Sequence, residues 1–287
     1  MRRRDFPTAL FASAVGAATA PAAAQTSTAA SNGQSYPQTP AERALNVEPV
    51  NTSYQAGQPE RYLAPGFSYA SADGRSGTDF TAAINQALTV LGHPVVLGAH
   101  NYLFSNLTIP ATQQMIGQGI HQTNLICKPG STGTMFTDRG GKSGAAKVDI
   151  SGVAFYGNNC NYSHGLRLGY NTVQFGTEGV LDHVWVRDLP AGFPGIDING
   201  NVGIYGFLIS QSTGGLQLIG SAAMATQLEC MDCKGFAVGG TTAVCNFGDA
   251  HIGALEVEAQ AKDTTSVYLS GNTHLGMLTV SLPAAPA

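Results

Sequence analysis

His183, Trp185 and Arg187 alternate with Val184 and Val186. Side chains on a strand point to opposite faces in turn, so if the two valines look into a core, the imidazole, indole and guanidinium share the outer face. The same register sets Tyr156 one coil below them and Ser210 one above. Glu229 with Met231 and then Glu256 with Glu258 follow. Neighbouring strands lie about 4.8 Å apart and alternate residues of one strand about 7 Å apart, so these groups form a lattice of a sugar's dimensions. An aromatic ring, a cation and paired carboxylates at that spacing suit the binding or cleavage of a polysaccharide.

Each side chain has two readings. Trp185, the one tryptophan, either stacks on a sugar ring or packs beneath residues 158–164. Arg187 either neutralises a uronate carboxylate during proton abstraction, as β-elimination requires, or pairs with Asp188, Asp182 or Glu229. Glu229 and Glu256, at equivalent places in successive coils, either share a proton as the acid and base of glycosidic cleavage or form a solvated acidic edge. Their separation falls at or below the short end of what that mechanism uses. His183 is a candidate base, which His164 could join from the loop beneath, or else an ordinary surface histidine. The catalytic candidates are therefore Arg187, Glu229, Glu256 and His183, and the substrate-binding candidates Trp185, Tyr156 and Glu258. No metal ligand is assigned.

The elements that must hold these residues repeat. Six alternating apolar and polar segments between residues 148 and 280 align on Val153, Val184, Phe207, Leu228, Leu255 and Leu278. A second set keeps pace at 166–168, 196–198, 216–218, 236–238 and 267–269. A period of roughly two dozen residues marks stacked units, each unable to bury its apolar face alone. The fold class is all-β: a single-stranded parallel β-helix, wound right-handed because parallel crossovers are. Arg167 and Asp197 match in register and are expected to form a cross-coil ion pair.

The chain is 43% hydrophobic and 11% charged, with 36 glycines and 14 prolines, which suits short strands and tight turns in one extended core. A net charge of -4 offers no basic footprint for nucleic acid. Arg3-Arg4-Asp5-Phe6, an apolar run and Ala22-Ala23-Ala24 make residues 1–24 an export signal resembling the twin-arginine type, with Pro7 where that pattern prefers Leu. The expected location is the periplasm or the exterior, with no membrane span in the mature protein. Residues 25–60 lack an apolar period and read as a flexible tether, with the β-helix domain from 61 to 287. Five cysteines leave at least one unpaired within the chain. Cys230-Met-Asp-Cys233 reads as structural, with a disulfide involving Cys245 as the alternative. Gly141-Lys142-Ser143 is no phosphate loop, because Phe136 stands where the leading glycine is needed. No cofactor motif is present.

Phe80, Ile84, Leu88 and Leu91 recur at helical spacing, with Ser76 or Thr78 as N-cap and Gly92 as the stop. A helix over about 78–91 is expected to lie across the open first coil. Asp73-Gly74, that helix and VVLGAHNYLFSNLTIPATQQMIGQGIHQTNLI together resemble the entry to the pectate-lyase superfamily, which includes rhamnogalacturonase-like and tailspike-like domains. The resemblance covers about residues 70–160. It implies a protein that cleaves, epimerises or merely binds polysaccharide, and among cofactors it implies only calcium. With the outer-face lattice, the first expectation is a secreted lyase or glycoside hydrolase acting on an acidic polysaccharide. The calcium-binding aspartates of pectate lyases and the Asn-Thr-Asp, Gly-His-Gly and Arg-Ile-Lys motifs of polygalacturonases are absent from the sequence. The alternative function is non-catalytic carbohydrate binding or a surface-structural role. The chain ends after a strand with no second helix, so either a homo-oligomer forms through the uncapped C-terminal coil or the terminal prolines discourage pairing there.

Overall fold

A computed structural model describes residues 34–110, 112–139, 146–158, 160–170, 177–219, 223–259, 265–269 and 271–281. The expected export signal, the start of the tether, Gly141-Lys142-Ser143 and the terminal prolines lie outside the described residues.

The chain forms a parallel β-solenoid of about six turns. One ladder stacks Ala146–Tyr156, Thr177–Arg187, the later part of Ile196–Gln211, Ala223–Cys233, Ala250–Ala259 and His274–Ser281, each parallel to the next. A second stacks Thr132–Arg139, Asn161–Leu168, the start of Ile196–Gln211, Leu216–Ile219, Thr241–Phe247 and Thr265–Leu269. The interior is one continuous apolar cluster, with Val153, Val184, Leu208, Leu228 and Leu255 forming one of its columns. Removing a leucine or valine side chain from water contributes roughly 1.5–3 kcal/mol each, and register is pinned because a slip of one residue would turn the whole set outward.

Two expected alignments are displaced. The inward residue of the third coil is Leu208, not Phe207, because a bulge between Tyr205 and Leu208 inserts one residue at the left-handed Gly206, φ 64°. The shift leaves Phe207 half-buried and turns Ser210 into the core, where its hydroxyl meets Thr213 Oγ1 at 2.7 Å and the Gly215 carbonyl at 3.0 Å. In the second ladder the fourth rung is Cys245-Asn246-Phe247 rather than 236–238. Phe236–Val238 instead folds antiparallel onto Thr241–Phe247 through Gly239-Gly240, both at positive φ as a two-residue hairpin turn demands.

The expected capping helix is present but shorter, Thr81–Thr89 (α1), and packs on the first turn of the solenoid with Phe80, Ile84 and Leu88 buried. Asp79, not Ser76 or Thr78, serves its start: Oδ1 accepts the Thr81 amide at 2.9 Å and the Thr81 hydroxyl at 2.6 Å. Val90 is buried while Leu91, expected on the apolar stripe, is 48% exposed.

From residue 34 the expected tether is folded. A short helix at Pro40–Ala44 is closed by a capping box between Thr39 and Glu42. Glu42 then takes a bidentate bond from Arg61, at 2.6 and 3.0 Å, and the Tyr62 hydroxyl at 3.0 Å. Arg61 uses its other donors on the Tyr36, Pro37 and Tyr54 carbonyls. A buried ion pair, not an apolar period, orders this stretch, which is why composition gave no sign of it.

At the far end the inward Leu278 and Val280 remain 47% and 41% exposed. All five cysteines are buried free thiols, with Cys230 facing inward and its sulfur 3.0 Å from that of Cys245. Among the described residues no helix is long and apolar enough to cross a membrane.

Candidate functional site

Alternation about Val184 and Val186, both buried, does turn His183, Trp185 and Arg187 outward. Directly in line with Trp185 stand Ala154 below and Ile209, Glu229, Glu256 and Thr279 above. In line with Arg187 stand Tyr156 below and Gln211 and Met231 above. Ser210 is buried, Gln211 takes its expected place in line with Arg187, and the apolar Ile209 stands in line with Trp185. Trp185 and Glu229 are therefore separated by two strand spacings, about 10 Å, and the expected lattice divides into two groups.

The lower group is aromatic and cationic. The Arg187 guanidinium lies 4.7 Å over the Tyr156 ring and 5.0 Å over the Trp185 ring, whose centroids are 6.0 Å apart. Arg187 Nε donates to Asp188 Oδ2 at 2.7 Å, the pairing among those expected that forms. Arg187 keeps 30% of its side chain exposed. Trp185 is half-buried, and the His121 ring meets it edge-on at 5.5 Å. Sequence spacing gave no sign of His121, which arrives from a turn between strands. The indole Nε1 is buried with no acceptor beside it.

His183 is exposed and its Nδ1 lies 2.6 Å from Asp182 Oδ1. It adopts φ 51° at a bend where the coils below and above carry Gly152 and Gly206, both at 64°. A histidine in a left-handed position that its neighbours fill with glycine stores about 1–2 kcal/mol of strain, of the kind that collects at functional sites. Its ring lies against Gly206, where a Cβ would come within 2.3 Å. Its other neighbour is the Phe207 edge at 5.5 Å.

His164 does not join it. It lies on the second ladder with Nε2 3.5 Å from the buried Asp197 carboxylate, and burial lowers its pKa ahead of the opposing pull of Asp197. The expected pair of Arg167 with Asp197 forms at 3.5 Å, as an ion pair without hydrogen-bond geometry. Asp197, 2% exposed, also accepts the Tyr170 hydroxyl and the Gln217 amide, which in turn takes Asn246. That polar ladder locks four coils in register.

The upper group is acidic. Glu229 and Glu256 are register partners, as the period expects. Burial raises the Glu229 carboxyl above its ordinary value against a 2.7 Å bond from Gln227, and the charges of Glu256 and Glu258 raise it further. Glu256 is exposed and Glu258 half-buried. Among the described residues no three His, Cys, Asp or Glu gather as a metal-binding group, so they provide no carboxylate cage of the kind calcium requires.

A groove of about 480 Å³ opens on the same ladder nearer the C-terminal end, lined by Tyr205, Met224, His251 and His274 over Gly253 and Gly276. The signal for it was in the period: Met224, His251 and His274 each stand four residues ahead of Leu228, Leu255 and Leu278.

These features define the class, a parallel β-solenoid closed at its N-terminal end by a helix and carrying an aromatic–cationic patch and an acidic patch on one outer ladder. Compared with protein-family models, curated proteins and solved structures, the chain gives no significant match.

Proposed function

We propose that this is an exported polysaccharide-binding β-helix of the pectate-lyase superfamily that holds acidic polysaccharide on the outer face around Tyr156, Trp185 and Arg187. The carrying observation is the Arg187 guanidinium set against two aromatic rings and still open to solvent. Such a cation recognises a uronate carboxylate while the rings offer apolar faces to the sugar. Twin-arginine-like export places the protein where such polymers occur. His183, held in strain beside the patch, faces the same polymer.

Affinity electrophoresis against polygalacturonate and a neutral glucan tests this. Arg187→Ala is expected to remove the preference for the acidic polymer. Trp185→Ala is expected to weaken binding by on the order of 1–3 kcal/mol. Equal retardation of the wild type by both polymers would overturn the reading.

The raised carboxyl of Glu229 beside Glu256 supports a second reading, a glycoside hydrolase with Glu229 as acid. Reducing ends released by the wild type and lost in Glu229→Gln would establish it, whereas unsaturated ends absorbing in the ultraviolet would assign a lyase with Arg187 and His183 at its centre. Binding with neither product leaves the non-catalytic reading standing. Self-association through the exposed Leu278 and Val280 belongs to the same proposal: Leu278→Glu is expected to abolish any dimer seen by sedimentation, and a monomeric wild type at high concentration would reject it.

A further inference from the structure

In the groove, Met224 pairs in register with His251, and His251 with His274, so one outward column carries a thioether and two imidazoles at successive strand spacings of about 4.8 Å. The two imidazoles are stacked, with centroids 4.7 Å apart and planes within 8°. Both histidines are exposed, and Met224 is among the most exposed large apolar side chains. Among the described residues that line the groove there is no Lys, Arg, Asp or Glu, so none of them sets a fixed cation against a metal ion or a carboxylate that would draw a hard one. Gly253 and Gly276 keep the floor clear beside the imidazoles, and a Cβ at Gly276 would come within 2.6 Å of the Gly253 carbonyl.

We infer that Met224, His251 and His274 form a copper site. Rotation of either ring about its Cβ–Cγ bond brings two ring nitrogens within the span of one ion bonded at about 2.0–2.1 Å, the usual imidazole–metal distance. Among divalent first-row ions copper binds nitrogen donors most tightly, and a thioether adds selectivity for the cuprous state. The long, unbranched Met224 side chain reaches the ion from the coil below. The site is separate from the polysaccharide-binding patch and does not depend on it.

The test is titration of the purified chain with Cu2+, followed by calorimetry and by the nitrogen hyperfine pattern in electron paramagnetic resonance. One ion per chain is expected, with coupling to two imidazole nitrogens. His251→Ala and His274→Ala are each expected to weaken binding by more than about tenfold, since even outer-shell partners act on the 10–100-fold scale. Both positions are exposed, and an unchanged far-ultraviolet circular dichroism spectrum shows that the variants fold. Binding equal to wild type in both variants would place the copper elsewhere on the chain and overturn the site. Met224→Leu is expected to leave Cu2+ affinity in place and to lower Cu+ affinity in competition with a bicinchoninate chelator. Unaltered Cu+ affinity in that variant would overturn the place of the Met224 thioether in the site.

Discussion

Arg61→Ala is expected to destabilise the fold by about 3–5 kcal/mol, the range for stripping one partner from a buried ion pair. Arg61 and Glu42 are both fully buried, and the guanidinium donates to the carboxylate and to three backbone carbonyls. Its removal leaves the Glu42 charge in the interior with only the Tyr62 hydroxyl and the Thr39 amide facing it. Replacing both residues by apolar side chains of similar volume is expected to cost far less, because no unpaired charge remains. Equilibrium unfolding in urea measures the difference, and a loss below about 1 kcal/mol for Arg61→Ala would show that the segment is not coupled to the solenoid. The pair also has an acid signature. Burial alone would raise the Glu42 carboxyl, but the bonds from Arg61, the Thr39 amide and Tyr62 outweigh it and hold the pKa at about 2 against an ordinary 4.5. A depressed carboxylate stabilises the fold fully above its unfolded value, and that contribution fades as pH falls from about 4.5 to about 2. In Arg61→Ala this part of the acid slope should flatten.

That ion pair also shows where reading the sequence stops. Residues 34–60 lack periodicity, and their order comes from Arg61, a partner 19 positions away from Glu42, which no local pattern exposes. The solenoid was legible because alternation within a strand and recurrence between coils both report the same interior: Val153, Val184, Leu228 and Leu255 are all buried where the period places them. It failed where one glycine changes the count. Gly206 adds the bulge that exchanges Phe207 for Leu208, and Gly239-Gly240 takes 236–238 out of the ladder. The outward set behaved likewise. Trp185 and Arg187 follow from the valines beside them, whereas Ser210 was lost to the bulge and His121 enters from a turn.

Leu208→Asp and Phe207→Asp form the sharpest test of that corrected register. Leu208 is fully buried between Val184 and Leu228, so aspartate there loses the leucine's burial, about 2–5 kcal/mol by the scale of large-to-small core changes. It also places an unpaired carboxylate among apolar neighbours, a further penalty of several kcal/mol unless the group takes up a proton. The sum rivals the whole stability of an ordinary domain, so Leu208→Asp should fail to give a cooperative unfolding transition. Phe207 is half-buried on the outer surface against the His183 edge, and Phe207→Asp should keep the transition with a loss of about 1–2 kcal/mol. Circular dichroism melts of the two variants decide it. If Phe207→Asp unfolds the chain and Leu208→Asp is tolerated, Ile209 turns inward and Ser210 outward, and the aromatic and acidic groups would have to be joined again into one surface.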